Sequence, residues 1–393
     1  MNNKGYHDRI NLWNIDQDYI FLNHGSFGAC LKSILHKQSA YQMKLEEEPM
    51  KFMTRDLPEY LASSKKILSS FVGANDQNLV FVKNATTGVN TILRSLLFSN
   101  GDEIIISNHI YPACRNALNF LAETRGIIIR EALIPFPLPD EEAVINQLTA
   151  QITPKTRLLL IDHITSPTGL LFPVEKIVNE FNQRKIDVLV DGAHAPGTIP
   201  LRLEQMNAAY YTGNCHKWLC SPKGSAFLYV RPDKQSCIHP LTISLTEGKG
   251  RSFTDRFYWT GTEDPTPYLC VGDSINEMEK IGIGGWPEIT KYNHDLAIKA
   301  RKMLCEILMI EVPCPENMIA NLASVPIPPT TDAAPSGFNH FDSLQDKLFH
   351  EFKIELFVTY WPNHPSRLIR ISPQIYNTEA QYRYLSEVLQ KII

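Results

Sequence analysis

The chain has 393 residues, of which 44% are hydrophobic and 20% are charged, a composition typical of a globular protein. Its 38 basic and 42 acidic side chains give a net charge of -4, which argues against nucleic acid or an anionic membrane and favours a small-molecule partner. The first residues are polar, and no apolar run approaches the roughly 20 residues that span a bilayer. We therefore expect a cytoplasmic protein.

The eight cysteines are scattered, and only Cys215 and Cys220 lie close together in sequence. Because neither a CxxC pair nor a Cys/His ligand set is present, we expect no metal site. Reduced thiols in the cytoplasm are the simplest interpretation.

Strands and helices alternate from about residue 78. Strands are predicted at "NLVFV", "DEIIIS", "IIIREAL", "RLLLID" and "DVLVDGAH", and helices lie between them. Short apolar strands separated by helices predict a mostly parallel sheet covered on both faces. The first helix, "ATTGVNTILRSLLFSNG", is expected to bury one face, formed by Val89, Ile92, Leu93, Leu96 and Leu97.

Two further strands, "AAYYTG" and "AFLYV", flank "CHKWLCSPKG", and the later stretch "RSFTDRFYWTGTEDPTP" is too polar and turn-rich for a core element. The chain then continues with the helix "WPEITKYNHDLAIKARKMLCEIL", a second helix, two strands, and a last helix with a capping box at Thr378 and Gln381. We predict an α/β fold with a large domain over 21–279 and a smaller α+β domain from 1–20 and 280–393.

Polar residues follow several of the predicted strands, where ligands collect in open α/β sheets. Residues 84–88, "NATTG", open a helix whose free amides and hydroxyls suit a phosphate group, although an ordinary helix cap explains them equally simply. Asp191 ends an apolar strand, which is costly unless a cation or donor meets the carboxylate. Lys217 follows another strand, and taken alone a surface lysine covering apolar area would explain it better.

The combination is more informative than its parts. A phosphate cradle, a strand-end aspartate and a later lysine, in this order, are what pyridoxal 5'-phosphate requires. The lysine amine bonds to the cofactor's aldehyde, the aspartate pairs with its ring nitrogen, and the helix N-terminus holds its phosphate. The sequence therefore predicts this cofactor.

The motifs "FLNHGSFGAC", "VKNATTGVN", "DHITSPTGL", "VDGAHAPG", "CHKWLCSPKG" and "WTGTEDPTP" resemble the class V aminotransferase superfamily of fold-type I pyridoxal-phosphate enzymes, particularly its isopenicillin N epimerase branch. The resemblance covers nearly the whole chain. It implies a large cofactor-binding domain, an amino-acid substrate, and a homodimer whose active sites lie at the subunit interface.

The resemblance also implies a role for individual positions. Lys217 matches the lysine that bonds the cofactor, Asp191 the partner of the ring nitrogen, and His194 a position near the phenolic oxygen. Tyr111 matches a ring that stacks on the cofactor, and Ser166 lies near the phenolic oxygen. The phosphate-side positions are Ala85, Thr86, Thr87, Asn214, His216 and, from the neighbouring subunit, Thr262.

Four positions concern the substrate. Arg370 matches the arginine that binds the α-carboxylate, and strand alternation places it on one face with Leu368. A planar guanidinium suits a two-point contact with a carboxylate. Asn23 and His24, with Ser26, either line the substrate end or form a simple turn cluster.

Cysteine desulfurases of this superfamily carry a nucleophilic cysteine shortly before the matching arginine. Here that stretch is "VTYWPNHPSRLIR", which contains no thiol to accept a persulfide. Tyr360, Trp361 and His364 occupy it instead, and they either shape the pocket, act as a second acid/base, or only pack. Carbon-sulfur lyases need no such cysteine and stay open.

We therefore expect a pyridoxal-phosphate enzyme that acts on the α-carbon of an amino acid, similar to isopenicillin N epimerase, with Lys217 as general base. Desulfurase or carbon-sulfur lyase and aminotransferase activities are the alternatives. A cofactor-binding protein without turnover is a further alternative, against which the presence of Lys217, Asp191 and Arg370 together argues.

Overall fold

The computed structural model describes residues 8–281, 284–333 and 341–393. Its strands, numbered in chain order, are β1 Ile20–Phe21, β2 Leu79–Val82, β3 Glu103–Ser107, β4 Ile128–Ala132, β5 Thr156–Asp162, β6 Asp187–Asp191, β7 Tyr210–Asn214, β8 Ala226–Val230, β9 Ala323–Ile327, β10 Ile354–Glu355, β11 Phe357–Tyr360 and β12 Arg367–Ile371.

The helices, also numbered in chain order, are α1 His24–Phe27, α2 Lys32–Glu47, α3 Pro49–Lys51, α4 Leu57–Val72, α5 Ala85–Ser95, α6 Pro112–Arg125, α7 Glu141–Thr149, α8 Val174–Gln183, α9 Leu203–Met206, α10 Phe253–Tyr258, α11 Thr266–Ile281, α12 Gly285–Ile307, α13 Ser343–Phe352 and α14 Glu379–Ile392. A π-helical turn, Phe52–Asp56, joins α3 to α4.

Seven strands form the central sheet in the order β2-β8-β7-β6-β5-β3-β4. Only β8 runs against its neighbours, so the other six strands end at the same edge. Alternate residues of β5 enter different cores. Leu160 packs with α5 and α6 on one face, and Leu159 packs with α7 and α8 on the other. This arrangement confirms the predicted α/β fold with a mostly parallel, doubly covered sheet.

A second, antiparallel sheet in the order β11-β12-β9 lies towards the end of the chain. Strand β1 pairs in parallel with β10, which ties residues 20–21 to the C-terminal region. The predicted boundary at residues 279 and 280 falls within the last turn of α11. The division into two domains stays a prediction.

Two local predictions were wrong. Helix α5 ends at Ser95 because the backbone of Leu96 is extended as the chain turns towards β3, and Leu97 is 90% exposed instead of buried. The stretch that seemed too polar for a core element contains α10, whose capping box joins Ser252 and Asp255 and whose Phe253 is buried.

Among the described residues, no helix is both long and apolar enough to cross a membrane. All eight cysteines are free thiols, which agrees with the expectation of reduced cysteines. The cytoplasmic location itself stays a prediction.

Gly28 fixes the approach of the N-terminal segment to the backbone at Lys217. Its φ of 68° is left-handed, and a Cβ atom there would lie 2.7 Å from the Cα of Lys217 and would overlap the carbonyl oxygen of His216. Gly101 also has a left-handed φ, 86°, but a Cβ atom there would meet nothing within 4 Å. Substitution of Gly101 therefore adds backbone strain alone, whereas substitution of Gly28 adds backbone strain and steric overlap.

We expect Gly101→Ala to lower the free energy of unfolding by about 1–2 kcal/mol, the cost of a left-handed alanine. Gly28→Ala should lose about 1–3 kcal/mol more, because its methyl group must displace a packed backbone. Chemical denaturation of both variants measures the difference. Equal losses would show that the contact between Gly28 and Lys217 is not tight.

Candidate active site

The polar ends of the parallel strands and the loops that follow them form the candidate site. Asp191 is the last residue of β6 and Asn214 the last of β7, and these strands lie side by side. Lys217 follows β7 by three residues. The N-terminus of α5 reaches the same edge, because the amide of Ala85 donates to Oδ1 of Asn214 over 2.9 Å.

The Lys217 amine contacts an imidazole. Its Nζ lies 3.1 Å from Nε2 of His194, and the indole Nε1 of Trp218 donates to Nδ1 of the same ring over 3.5 Å. Burial, followed by the positive charge of Lys217, lowers the pKa of His194 well below its ordinary value. The imidazole is therefore neutral, and it holds the amine without competing for a proton.

The Lys217 side chain is half-buried by the surrounding protein. Burial and, second, the positive charge of Arg370 lower the pKa of Lys217 to about 7, although the carboxylates of Asp191 and Asp162 act in the opposite direction. A large fraction of this amine is therefore unprotonated at neutral pH. A neutral amine is the form that attacks an aldehyde or accepts a proton.

Asp191 is buried, and its two oxygens have different partners. Oδ1 accepts from the amide of Ala193 over 3.0 Å, and Oδ2 accepts from the thiol of Cys114 over 3.3 Å. Burial raises the pKa of Asp191, and these hydrogen bonds oppose the rise. Asp162, the neighbour of Asp191 on β5, is also buried. The sequence analysis singled out neither Cys114 nor Asp162.

The first turn of α5 forms the candidate phosphate site. Asn84 caps the helix, and its Oδ1 accepts from the amide of Thr87 over 2.8 Å and from the Thr87 hydroxyl over 3.0 Å. No hydrogen bond is described for the amide or hydroxyl of Thr86, which leaves both available to a ligand. Helix α5 can lie this close to β7 because residue 88 is a glycine. A Cβ atom at this position would overlap the side chain of Thr212.

His216 lies between β7 and Lys217. Its Nδ1 contacts the carbonyl oxygen of Ser225 at 3.0 Å, so this nitrogen carries the proton and Nε2 has a lone pair. Burial lowers the pKa of His216 to about 4. Asn214 and His216 thus both lie on the short segment that leads to Lys217, and their place next to a cofactor stays a prediction.

Arg370 is a buried cation without a carboxylate partner in the described ranges. Its Nη1 donates to the carbonyl oxygen of Ser166 over 2.8 Å, and its Nη2 donates to Oγ of Ser26 over 2.8 Å. The guanidinium lies over the ring of Phe357, 4.5 Å from its centroid. Burial lowers the pKa of Arg370 to about 10, so the group stays charged at neutral pH. A buried, unpaired arginine is costly and suits an anionic ligand.

The N-terminal segment contributes to both ends of the site. Oδ1 of Asn23 accepts from the hydroxyl of Ser26 over 2.6 Å and lies 3.5 Å from Nη2 of Arg370. His24 is fully buried behind the lysine, with Nε2 3.1 Å from the carbonyl oxygen of Lys217. Asn23 and Ser26 therefore lie at the arginine, whereas His24 holds the backbone of Lys217.

The other predicted positions vary in how close they lie. Tyr111 caps α6 and is 41% exposed, and Ser166 contacts Arg370. Thr262 is exposed, in the loop between α10 and α11. A cavity of about 510 Å³ borders that loop and Thr87, but it is not lined by Lys217, Asp191 or Arg370.

The side chains of the thiol-free loop are held by neighbours. The hydroxyl of Tyr360 donates to Asp342 over 2.7 Å, and Nε2 of His364 lies 2.8 Å from the carbonyl oxygen of Asp332. Trp361 lies against His109, with ring centroids 4.7 Å apart. These contacts favour a packing role for the loop.

The pKa of Lys217 predicts how its reactivity depends on pH. Acylation by acetic anhydride requires the neutral amine, so labelling of Lys217 in cofactor-free protein should rise with pH to a midpoint near 7, far below the midpoint of an ordinary lysine. Arg370→Ala should move the midpoint upwards, because a nearby positive charge is removed. Arg383→Ala, on exposed α14, is the control. Peptide mass spectrometry measures the acylation of each lysine. A midpoint near 10 for Lys217 would show that burial and Arg370 do not lower the pKa of its amine.

The residues of the site fit pyridoxal phosphate, and comparison with known proteins agrees. The family described as Aminotransferase class-V matches residues 34–334. The chain is 30% identical to the isopenicillin N epimerase of Streptomyces clavuligerus, over 96% of both proteins. It is 27% identical to a probable chloroplastic L-cysteine desulfhydrase of Arabidopsis thaliana, over 96% of this chain and 84% of that protein.

Solved structures show the same fold. A mutant of the lyase C-DES, with glycine covalently linked to its pyridoxal-phosphate cofactor, superimposes with a TM-score of 0.81 and 20% identity over 99% of both chains. The complex of the cystine C-S lyase C-DES with its product cysteine persulfide gives a TM-score of 0.77 and 21% identity, over 95% of this chain and 98% of that one. The chain therefore belongs to the class-V aminotransferase family, has the fold-type I architecture, and uses pyridoxal 5'-phosphate as its cofactor.

Proposed function

We propose that this protein catalyses a reaction at the α-carbon of an amino acid, with Lys217 as the base and Arg370 as the carboxylate-binding residue. The observation that carries the proposal is the pairing, in one site, of an amine whose pKa is about 7 with a buried arginine that has no carboxylate partner in the described ranges. Bound pyridoxal phosphate supplies an electrophilic aldehyde and an electron-accepting ring.

The contacts of the cofactor follow from the positions of the side chains. The Thr86 amide and hydroxyl, with Asn214 and His216, are placed to hold the phosphate. Asp191 is placed to pair with the ring nitrogen, and Lys217 to bond the aldehyde. His194 lies beside the lysine, where it can face the phenolic oxygen. Each of these roles is a proposal based on the geometry of the chain.

Arg370 orients the substrate. Ser166 and Ser26 fix the two ends of the guanidinium, so its plane is set before a ligand arrives. A carboxylate there forms charge-assisted hydrogen bonds and neutralises the buried cation. The α-carbon of the bound amino acid then lies between the guanidinium and Lys217.

Lys217 moves the proton. Once its amine is free, a large fraction of Nζ is unprotonated near pH 7, and this form accepts the α-proton of the oriented substrate. The neutral His194 ring keeps Nζ in position over 3.1 Å. This step is common to epimerisation, elimination and transamination.

The first candidate reaction is epimerisation, as in the epimerase that is 30% identical to this chain. Epimerisation requires a second group that returns the proton from the opposite face. Near Arg370 the described groups are hydroxyls and an amide, from Ser26, Ser166 and Asn23, and the Tyr111 phenol is a titratable group that interacts electrostatically with the guanidinium. Tyr111 is therefore the proposed second acid/base for this reaction.

The second candidate is cleavage of a carbon-sulfur bond by β-elimination. One base is sufficient for this reaction, and the described part of the chain presents a single amine base, Lys217, to the substrate. The loop before Arg370 has no thiol, which disfavours the persulfide route of a desulfurase but not direct elimination. A relative named L-cysteine desulfhydrase is consistent with this candidate.

We also propose a homodimer with shared active sites. Thr262 is exposed and far from the lysine in sequence, and its loop borders a cavity whose lining includes Leu57, Phe81 and Trp259. A second copy packed there would cover apolar surface and could bring Thr262 to the phosphate of its neighbour.

Arg370→Ala should weaken amino-acid binding by about 2–5 kcal/mol, because the carboxylate loses its buried charge partner. The visible absorbance of the bound cofactor should be nearly unchanged. Arg370→Lys should restore little, since one ammonium cannot reproduce a planar two-point contact. Spectral titration with amino acids measures the affinity, and exposed Arg383→Ala is the control. Normal affinity in Arg370→Ala would remove the arginine from the substrate site.

Incubation with L-amino acids in deuterated water tests the proposed function itself. Exchange of the α-hydrogen should occur and should be lost in Lys217→Ala, because no other amine base faces the substrate in the described site. Appearance of the D-isomer supports epimerisation, and release of sulfide or pyruvate from L-cysteine supports elimination. A cofactor-bound protein that exchanges no α-hydrogen with any amino acid would be a binding protein without turnover.

A further inference from the structure

Asp162 and Asp191 form a pair of neighbouring carboxyl groups. They end adjacent parallel strands and lie opposite each other in the β5-β6 register. Residues paired in this way project from the same face, with their strands about 4.8 Å apart. Both side chains are directed towards the start of α6, where the Cys114 thiol donates to Asp191 and the backbone of Tyr111 hydrogen bonds to Asp162.

One oxygen of this pair has no partner. Oδ2 of Asp162 is buried and, within the described ranges, forms no hydrogen bond. Neither carboxyl group forms an ion pair there. Burial of an unpaired carboxylate is costly, so Asp162 lowers the stability of the folded protein when it is ionised. A structural role would be served better by a neutral side chain of the same shape.

The surroundings explain why the pair binds protons readily. Burial raises the pKa of both groups, and the negative charge of Asp191 raises the pKa of Asp162 further. The titratable and charged groups that face the pair are Cys114 and Tyr111 from α6, Tyr211 from β7, and Lys217 after β7. Only Lys217 brings a positive charge, and near pH 7 that charge is partly lost.

We propose that Asp162 and Asp191 together hold one proton in the cofactor-free protein and transfer it to the ring nitrogen of bound pyridoxal phosphate. An O–H bond of the pair breaks and an N–H bond forms, which leaves two carboxylates facing one cationic ring. Asp162 is then a positioning residue, since it acts through Asp191. This inference rests on the proposed placement of the cofactor ring over Asp191.

The pair has opposite effects in the two states. Without cofactor, a second negative charge destabilises the pair, and binding of one proton removes that charge. With cofactor, the same charge raises the affinity of the ring nitrogen for its proton, because a nearby negative charge favours the cationic form. A single aspartate would supply the contact but less of this electrostatic effect.

The isosteric variant Asp162→Asn tests the inference in the loaded protein. With ring-¹⁵N pyridoxal phosphate, the nitrogen NMR shift reports ring protonation. In the Asp162→Asn variant, we expect the ring nitrogen of the cofactor to lose its proton at a pH at least about one unit lower than in wild type, a tenfold change in proton affinity. Asp187→Asn, at the other end of β6, is the control, because Asp187 pairs with Lys234 at the surface. Identical titrations of wild type and Asp162→Asn would overturn the inference.

The cofactor-free protein provides a second test. A carboxyl group whose folded pKa is raised contributes stability at low pH that is lost as pH rises through that folded pKa. Wild-type protein should therefore lose more thermal stability than Asp162→Asn as pH rises above about 4, the ordinary pKa of an aspartate in the unfolded chain. If the thermal stabilities of wild type and Asp162→Asn changed in parallel with pH, the two aspartates would not share a proton.

Wild-type protein alone gives a third readout if Asp162→Asn does not fold. Infrared difference spectra should show loss of one protonated carboxyl band when pyridoxal phosphate is added, and no such loss would overturn the inference. Borohydride reduction separates the two proposals. If no reduced adduct forms on Lys217 in wild type, the cofactor placement fails. If the adduct forms but the nitrogen titrations coincide, only the role of Asp162 fails.

Discussion

Burial of the Lys217 amine next to a second cation is the constraint on which the site depends. An ammonium in this position would lose part of its hydration and be repelled by Arg370, so a large fraction of the amine is neutral near pH 7. The fold maintains that burial from behind. Gly28 lies against the lysine backbone, and His24 bonds to its carbonyl oxygen, so the N-terminal segment closes the site.

The charges of the site are separated in a way that orients a ligand. The carboxyl groups of Asp162 and Asp191 lie at the sheet edge, and Arg370 approaches from the antiparallel sheet of the C-terminal region. Lys217 lies between them and is influenced by both. A cationic ring is therefore drawn to one end and an anionic carboxylate to the other. The same separation leaves the amine at the point where bonds change.

The sequence was sufficient for the parts of this arrangement that depend on local pattern. Apolar runs of strand length predicted the sheet, and the acid at the end of β6 predicted Asp191 as a ligand-facing residue. Alternation along β12 predicted that Arg370 shares a face of the strand with Leu368. Its depth could not be predicted, because burial depends on Ser166 and Phe357, which come from distant segments.

Other features required three-dimensional register. "RLLLID" ends in an acid just as the strand of Asp191 does, so the signal for Asp162 was present, but its meaning depends on β5 and β6 being neighbours in register. Cys114 carries no sequence signal, since one thiol in an amphipathic helix is normally a small apolar residue. The end of α5 was missed because Leu96 and Leu97 continue the apolar pattern after the backbone has left the helix.

The shared machinery also explains why the reaction is harder to infer than the cofactor. Lys217, Asp191 and Arg370 serve proton removal, which precedes every candidate reaction, so they do not distinguish between them. The loop before Arg370 adds no thiol, and Tyr360 and His364 are already engaged with Asp342 and the backbone at Asp332. The outcome then depends on the substrate. A leaving group at the β-carbon departs once the α-proton is removed. A substrate without one is reprotonated instead: the atom that receives the proton decides between transamination and return to the amino acid, and the face that receives it decides the configuration of the α-carbon.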